Sequence, residues 1–303
     1  RDRSVSRGLG DVYKRQLYSY TAMIPSLPPS TGPIGVFDSG YGGLTILDKI
    51  RGLMPEYDYI YLGDSARCPY GPRSFEVVYE FTLQAVSKLF ELGCPLVILA
   101  CNTASAKALR TIQQINLPVI DATRRVLGVI RPTAECIGEI TRSRHVGILA
   151  TAGTIKSESY LLEIHKLSPD IVVTGEACPM WVSLVENNEY QSEGADYFVK
   201  QHINRLLDKD PVIDTIILGC THYPLLLDKI RQFTPGHIRI IAQGEYVARS
   251  LQDYLNRHPE MDARCEKGGK CRFLTTESEN KFEESASIFL GRQDIKVESI
   301  ALE

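Results

Sequence analysis

Nothing in the 303-residue chain approaches a run of 18 apolar positions, so length alone excludes a membrane-spanning helix. Basic residues are not in excess either: 34 Lys and Arg stand against 37 Asp and Glu, a formal net charge of −3. Without a basic face nucleic acid is not an expected partner, and small-molecule chemistry is the better expectation. The eight cysteines, at 68, 94, 101, 136, 178, 220, 265 and 271, include no C-x-x-C pair. Cys265 and Cys271 come nearest to a metal-ligand spacing, but the gap is too wide for a knuckle and no second pair follows, so no metal is expected. Thiols left free point to a reducing cytoplasm. Also missing are the G-x-x-x-x-G-K-[ST] and G-x-G-x-x-G spacings that cradle nucleotide phosphates.

What the chain has is length and pattern. With 44% hydrophobic and 23% charged residues it is long enough for two globular domains. Residues 1–16, RDRSVSRGLGDVYKRQ, carry five basic and two acidic side chains without amphipathic order and resemble a translated cloning adaptor. Together with the linker-like SLPPSTGP at 26–33, they mark 1–32 as an expected artefactual or disordered extension. Setting residues 1–16 aside leaves 29 basic and 35 acidic residues, a net of −6 and a more acidic body than the whole chain suggests.

Ile34-Gly35-Val36-Phe37 reads as a short apolar strand running into Asp38-Ser39-Gly40-Tyr41-Gly42-Gly43. Three glycines in four positions let backbone N–H groups converge near a helix start, which suits a carboxylate or phosphate; a plain structural turn is the alternative. A second strand, Tyr59-Ile60-Tyr61-Leu62, leads to the rigid Cys68-Pro69-Tyr70-Gly71-Pro72 loop. The spacing of apolar residues then predicts a helix over 75–92 stopped at Gly93, a strand over 96–100, Cys101, and a helix over 104–115. Strands alternating with helices imply a parallel sheet whose carboxyl ends carry Asp38, Tyr70 and Cys101.

A second unit repeats this plan. After a helix predicted over 124–139, Val146-Gly147-Ile148-Leu149-Ala150 parallels the first strand, with Ala150 in the place of Asp38. Ile216-Ile217-Leu218-Gly219-Cys220-Thr221-His222 likewise parallels Val97-Ile98-Leu99-Ala100-Cys101-Asn102-Thr103. The expected fold is two pseudo-symmetric α/β domains, the first from 33 and the second from 125, each with a central, mostly parallel sheet flanked by helices. The site is expected in the cleft between them.

Two similarly mounted thiols suit one kind of chemistry. A carbon acid is inverted when a base takes the proton from one face and an acid delivers a proton to the other, and no single residue reaches both. Cysteine, with an ordinary pKa of about 8.5, can alternate as thiolate and thiol near neutral pH. Ser39, Asn102, Thr103 and Thr221 offer hydroxyl, amide and N–H groups at helix starts for a substrate carboxylate. His222 stands two residues from Cys220 to govern its protonation, and Asp38 could do so for Cys101 or receive an ammonium. Helix caps beside inert buried cysteines are the plainer alternative.

The set Asp38-Ser39-Gly40-x-Gly42-Gly43, Pro69-Tyr70-Gly71, Ala100-Cys101-Asn102-Thr103-Ala104-Ser105 and Gly219-Cys220-Thr221-His222-Tyr223-Pro224 resembles the glutamate racemases, cofactor-independent enzymes that supply D-glutamate for peptidoglycan. The resemblance runs from about residue 34 to at least 250, with four motifs in order, and implies that residues after about 240 return to pack on the first domain, so that the domains are 33–124 plus 240–303 and 125–239. It implies Cys101 and Cys220 as catalytic acid/bases. Asp38, Ser39, Tyr70, Gly71, Asn102, Thr103, Thr221 and His222 follow as substrate contacts or assistants. Glu186, closing the motif that begins at Ala177, is implied as a further assistant. Glutamate is then the expected partner, no cofactor is expected, and a homodimer is the expected assembly.

Departures are Tyr41 in place of a small aliphatic residue, Ser183 in place of proline, and Gln243-Gly244 in place of an Asp-Ser-like pair after the late strand 238–242, a change expected to alter local capping. The Cys265–Cys271 stretch reads as an inserted loop. Other readings are an aspartate- or hydantoin-type racemase, which would share the paired thiols, and a non-catalytic amino-acid-binding protein, which would have no need to keep them.

Overall fold

In the computed structural model, residues 31–291 and 295–302 are described; most of the expected N-terminal extension lies outside them. Two parallel sheets organise the chain. The first has the strand order β10-β9-β2-β1-β3-β4, built from β1 (Ile34–Asp38), β2 (Tyr59–Gly63), β3 (Leu96–Leu99), β4 (Arg125–Gly128), β9 (Cys271–Thr275) and β10 (Val297–Ser299). The second has the order β6-β5-β7-β8, from β5 (His145–Ala150), β6 (Val172–Ala177), β7 (Thr215–Gly219) and β8 (Arg239–Ala242). The order β2-β1-β3-β4 in one sheet is the order β6-β5-β7-β8 in the other, so the pseudo-symmetry extends to topology. Cys101 follows β3 and Cys220 follows β7, at equivalent strand ends.

Both faces of each sheet are covered, which is why the strands read as unbroken apolar runs. Along β1, Ile34 and Val36 join one core with Leu44, Leu47 and Ile50 of α1 (Leu44–Leu53), while Phe37 points into the opposite core with Val86, Leu89 and Phe90 of α2 (Phe75–Glu91). Ser74 caps α2, its Oγ accepting from Val77 N at 3.3 Å. Gly93, with φ +92°, takes the chain out of it in a conformation that side-chain-bearing residues rarely adopt. The second sheet is sandwiched in the same way, with Leu149, Ile216 and Leu218 on one side and Ile148, Ala150 and Ile217 on the other. No helix among the described residues is long and apolar enough to cross a membrane.

Several expectations shift. Residues 125–128 form the outer strand β4, not the start of a helix; the helix is α4 (Ile130–Ile140). As an edge strand, β4 buries only Val126, so its short apolar signal merges into the helical period that follows. The helix expected over 104–115 starts earlier, with α3 (Asn102–Lys107), and widens into a π-turn at Ile112–Asn116. β4 pairs in the first sheet and β8 in the second. Gly32, inside the expected extension, forms a parallel bridge with Cys265, so the Cys265 loop has a structural partner.

The two units touch through backbone as well as side chains. A Cβ at Gly42 would lie 2.3 Å from Thr221 Oγ1 and 2.5 Å from His222 Nδ1, and both residues are buried. Only glycine lets the first unit's loop come this close to the second unit's thiol turn. Thr45 Oγ1 adds a hydrogen bond to Thr221 O at 3.2 Å. Gly42→Ala is therefore expected to cost about 1–3 kcal/mol of stability through overpacking. Urea unfolding checks this, and an unchanged midpoint would mean that the contact yields freely.

Candidate active site

Each thiol stands where a strand gives way to a turn. Cys101 is the N-cap of α3: Ala104 N–H donates to its Sγ at 3.4 Å, and the thiol donates to Ser39 Oγ at 3.3 Å. It is 5% exposed, and Cys220 is 6% exposed. Burial pushes the Cys101 thiol up to about 12, with the Asp38 charge adding to the effect. Ser39 and the Ala104 N–H oppose that rise, and Cys220 adds to it.

Cys220 meets the opposite sign of charge. His222 Nδ1 lies 3.9 Å from its Sγ, and His222 Nε2 lies 3.0 Å from Glu186 Oε1, at the end of α6 (Trp181–Glu186), which follows α5 (Ala152–Lys156) in the chain. Burial favours the neutral ring, yet the hydrogen bonds and charges of Cys220 and Glu186 overcome it and raise His222 from 6.5 to about 10. Glu186, although burial opposes its charge, is held below the ordinary carboxylate range by His222, by the Cys68 thiol and by Lys281. Asp38 is wholly buried, and burial raises it against the charge of His222 and the N–H groups of Gly40 and Gly43. Its Oδ1 accepts from Gly40 N at 2.9 Å and its Oδ2 from the Thr221 hydroxyl at 3.3 Å.

Thus Cys101, Cys220, Asp38, Ser39, Thr221, His222 and Glu186 form one contiguous cluster drawn from both sheets. Thr103 borders it, its hydroxyl 2.9 Å from Thr151 Oγ1 and 3.4 Å from Thr154 Oγ1 at the start of α5. Gly71 faces the same place, since a Cβ there would lie 3.0 Å from Thr151 Cβ. Two other expected contacts have committed side chains. The Tyr70 hydroxyl donates to Asp64 Oδ2, which Arg67 also holds. Asn102 Nδ2 donates to Gln243 Oε1 at 2.7 Å, and Asn102 Oδ1 accepts from the Tyr160 hydroxyl at 2.7 Å.

Gln243 is the residue sequence reasoning undervalued. It makes no side-chain cap on α7 (Gly244–Arg257); its amide instead reaches Tyr160, Val129 O and Thr133 besides Asn102, tying β8 to the Cys101 turn. Its departure from the acidic residue usual at that place was the available signal. Cys68 was read only as part of a rigid loop, but its thiol donates to Glu186 Oε1 at 3.1 Å. Chemically, the cluster offers a protonated thiol beside a carboxylate and a second thiol beside an imidazolium, in a buried site. That suits removal of a proton and its delivery at a different point on one small molecule.

The His222–Glu186 pair has a titration consequence. A histidine raised above its unfolded value lends stability that is complete below about pH 6.5 and is lost as pH climbs through about 10. In Glu186→Gln the folded value is expected to fall, so that loss sets in at lower pH. Side-chain 15N NMR of His222 checks this; an imidazole titrating as in the parent would show that Glu186 does not hold its proton.

Known proteins similar to this chain point to one family. Residues 45–251 match the Asp/Glu/Hydantoin racemase family. A glutamate racemase of Roseobacter denitrificans is 38% identical over 270 residues, covering 86% of this chain and 97% of its own, and one of Bacillus cereus is 39% identical over 271 residues, covering 89% and 97%. Among solved structures, a glutamate racemase isoform of Bacillus anthracis superposes with a TM-score of 0.81 at 35% identity, over 90% of this chain and 98% of its own. The Francisella tularensis glutamate racemase, solved in complex with D-glutamate, gives 0.79 at 31% identity over 90% and 99%. The chain belongs to the Asp/Glu/hydantoin racemase family, in the branch of the glutamate racemases.

Proposed function

We propose that this chain interconverts L- and D-glutamate without a cofactor, Cys101 and Cys220 exchanging protons with opposite faces of Cα, and that it supplies D-glutamate for peptidoglycan. The observation that carries the reading is the meeting, in one buried cluster, of two thiols from equivalent ends of two sheets, one beside Asp38 and the other beside His222. A thiol kept protonated by burial and by a neighbouring carboxylate is ready to donate. The Cys220 sulfur, with His222 Nδ1 3.9 Å away, is placed to accept. After one turnover the roles are exchanged, as a reversible racemisation requires.

The buried hydroxyls of Ser39 and Thr221 and the backbone of Asn102, Thr103 and Gly71 are proposed to hold the substrate carboxylates. Asp38, pushed up by burial, receives the ammonium or assists Cys101; Glu186 keeps His222 charged. With both sulfurs only 5–6% exposed, glutamate reaches them when the Asp38–Gly43 loop and the Thr221–His222 turn part, and closure then excludes water from the acidified Cα. The division into two domains and the location of the site in the cleft between them belong to this proposal, as do cytoplasmic residence, in keeping with eight free cysteines, and a homodimeric assembly.

Circular dichroism of the pure protein with L-glutamate, and separately with L-aspartate, tests the assignment. Loss of rotation with glutamate supports it, turnover of aspartate alone would select the sibling activity, and no change with either would leave a binding protein. Cys101→Ala and Cys220→Ala are each expected to cut racemisation in both directions by about 10²-fold or more, the worth of a general acid or base. Near-parental turnover in either variant would overturn the two-thiol scheme.

A further inference from the structure

A third thiol touches the cluster and has no part in the scheme above. Cys68 lies in the loop after β2, in the first unit, yet its Sγ donates to Oε1 of Glu186 in the second unit at 3.1 Å. The same oxygen is 3.0 Å from His222 Nε2, whose other ring nitrogen faces Cys220. Cys68, Glu186, His222 and Cys220 therefore form one chain of contacts crossing between the units. The loop that carries Asp38 leaves room for it: a Cβ at Gly40 would lie 3.1 Å from Cys68 Sγ and 3.5 Å from Glu186 Oε1.

We propose that Cys68 is a positioning residue for the racemisation. From the first unit it fixes the Glu186 carboxylate that orients His222 on Cys220, so the His222 side of the site is fully assembled only when the two units are closed. The inference rests on the proposed glutamate racemisation. Cys68 acts as a hydrogen-bond donor and not as a third acid/base: burial, then the charge and hydrogen bond of Glu186, push its thiol well above the ordinary range and keep the proton on sulfur. A carboxylate oxygen shared by two donors on different elements has little freedom to swing, and the ring it holds is aimed in consequence.

Glu186 is faced by His222 and Cys68 through hydrogen bonds and by Lys281 of α8 (Glu279–Leu290) through its charge; Tyr41 of the Gly-rich loop feels the Glu186 charge. Asp38 and Cys101 act on Cys68 from its other side. Of these groups, Cys68 is the hydrogen-bond donor to Glu186 that belongs to the first unit.

Cys68→Ala and Cys68→Val remove the donor, the second while filling the space; Cys68→Ser keeps a donor. Titration of the Glu186 carboxyl by 13C NMR and pH profiles of kcat with glutamate are compared across the set. In the Ala and Val variants the Glu186 titration moves to higher pH and the acid limb of kcat moves with it. There kcat falls about tenfold while KM stays within about twofold, as for a misaimed catalytic group, and Cys68→Ser returns both curves toward the parent. An unshifted Glu186 titration with an unshifted acid limb in the Ala and Val variants overturns the proposal, whatever happens to thermal stability. So does a Ser variant that behaves like them. If the parent protein racemises neither enantiomer, the proposed function fails, and the carboxyl titration alone still decides whether Cys68 holds Glu186.

Discussion

A bare Cα at position 42 governs how closely the two halves of this molecule meet. Because Gly42 has no side chain, the loop ending β1 lies against Thr221 and His222, and from that contact follow the Thr221–Asp38 and Thr45–Thr221 hydrogen bonds. Cys101 and Cys220 sit at equivalent ends of two separately built sheets, and nothing within either sheet would bring them together. Their shared environment is a product of the contact between the sheets.

That environment is electrically uneven in a useful way. Asp38 and Glu186 flank a single buried imidazolium, His222, and each carboxylate is satisfied by N–H, hydroxyl or thiol donors. One sulfur faces the carboxylate side and the other the imidazolium side. The two sulfurs therefore stand in unlike electrostatic surroundings, as the proposed two-sided proton transfer needs. Burial strengthens each of these interactions.

Much of this was legible in the chain. The strands bearing Asp38, Cys101 and Cys220 are buried on both faces, so β1, β3 and β7 are unbroken apolar runs that composition cannot hide. The duplication showed in the register of their motifs, and Thr221 and His222 stood beside Cys220 in plain view. The misreadings have a common cause. Arg125–Gly128 buries one side chain at a sheet edge, too little to stand out from the helix behind it. Gln243 and Cys68 act through partners 141 and 118 residues away, Asn102 and Glu186, and no local pattern encodes a contact at that separation. The hydrogen bonds of the Tyr70 side chain to Asp64 and of Asn102 to Gln243 and Tyr160 are likewise contacts that sequence spacing does not reveal.

The central claim is that two different sulfurs serve the two faces of one Cα, and the placement of deuterium tests it most directly. With L-glutamate in D2O, at low conversion, the account places deuterium at Cα of the newly formed D-glutamate, while the L-glutamate recovered from the mixture retains protium. Deuterium appearing equally in both enantiomers at that stage would mean that one base serves both faces, and would contradict it.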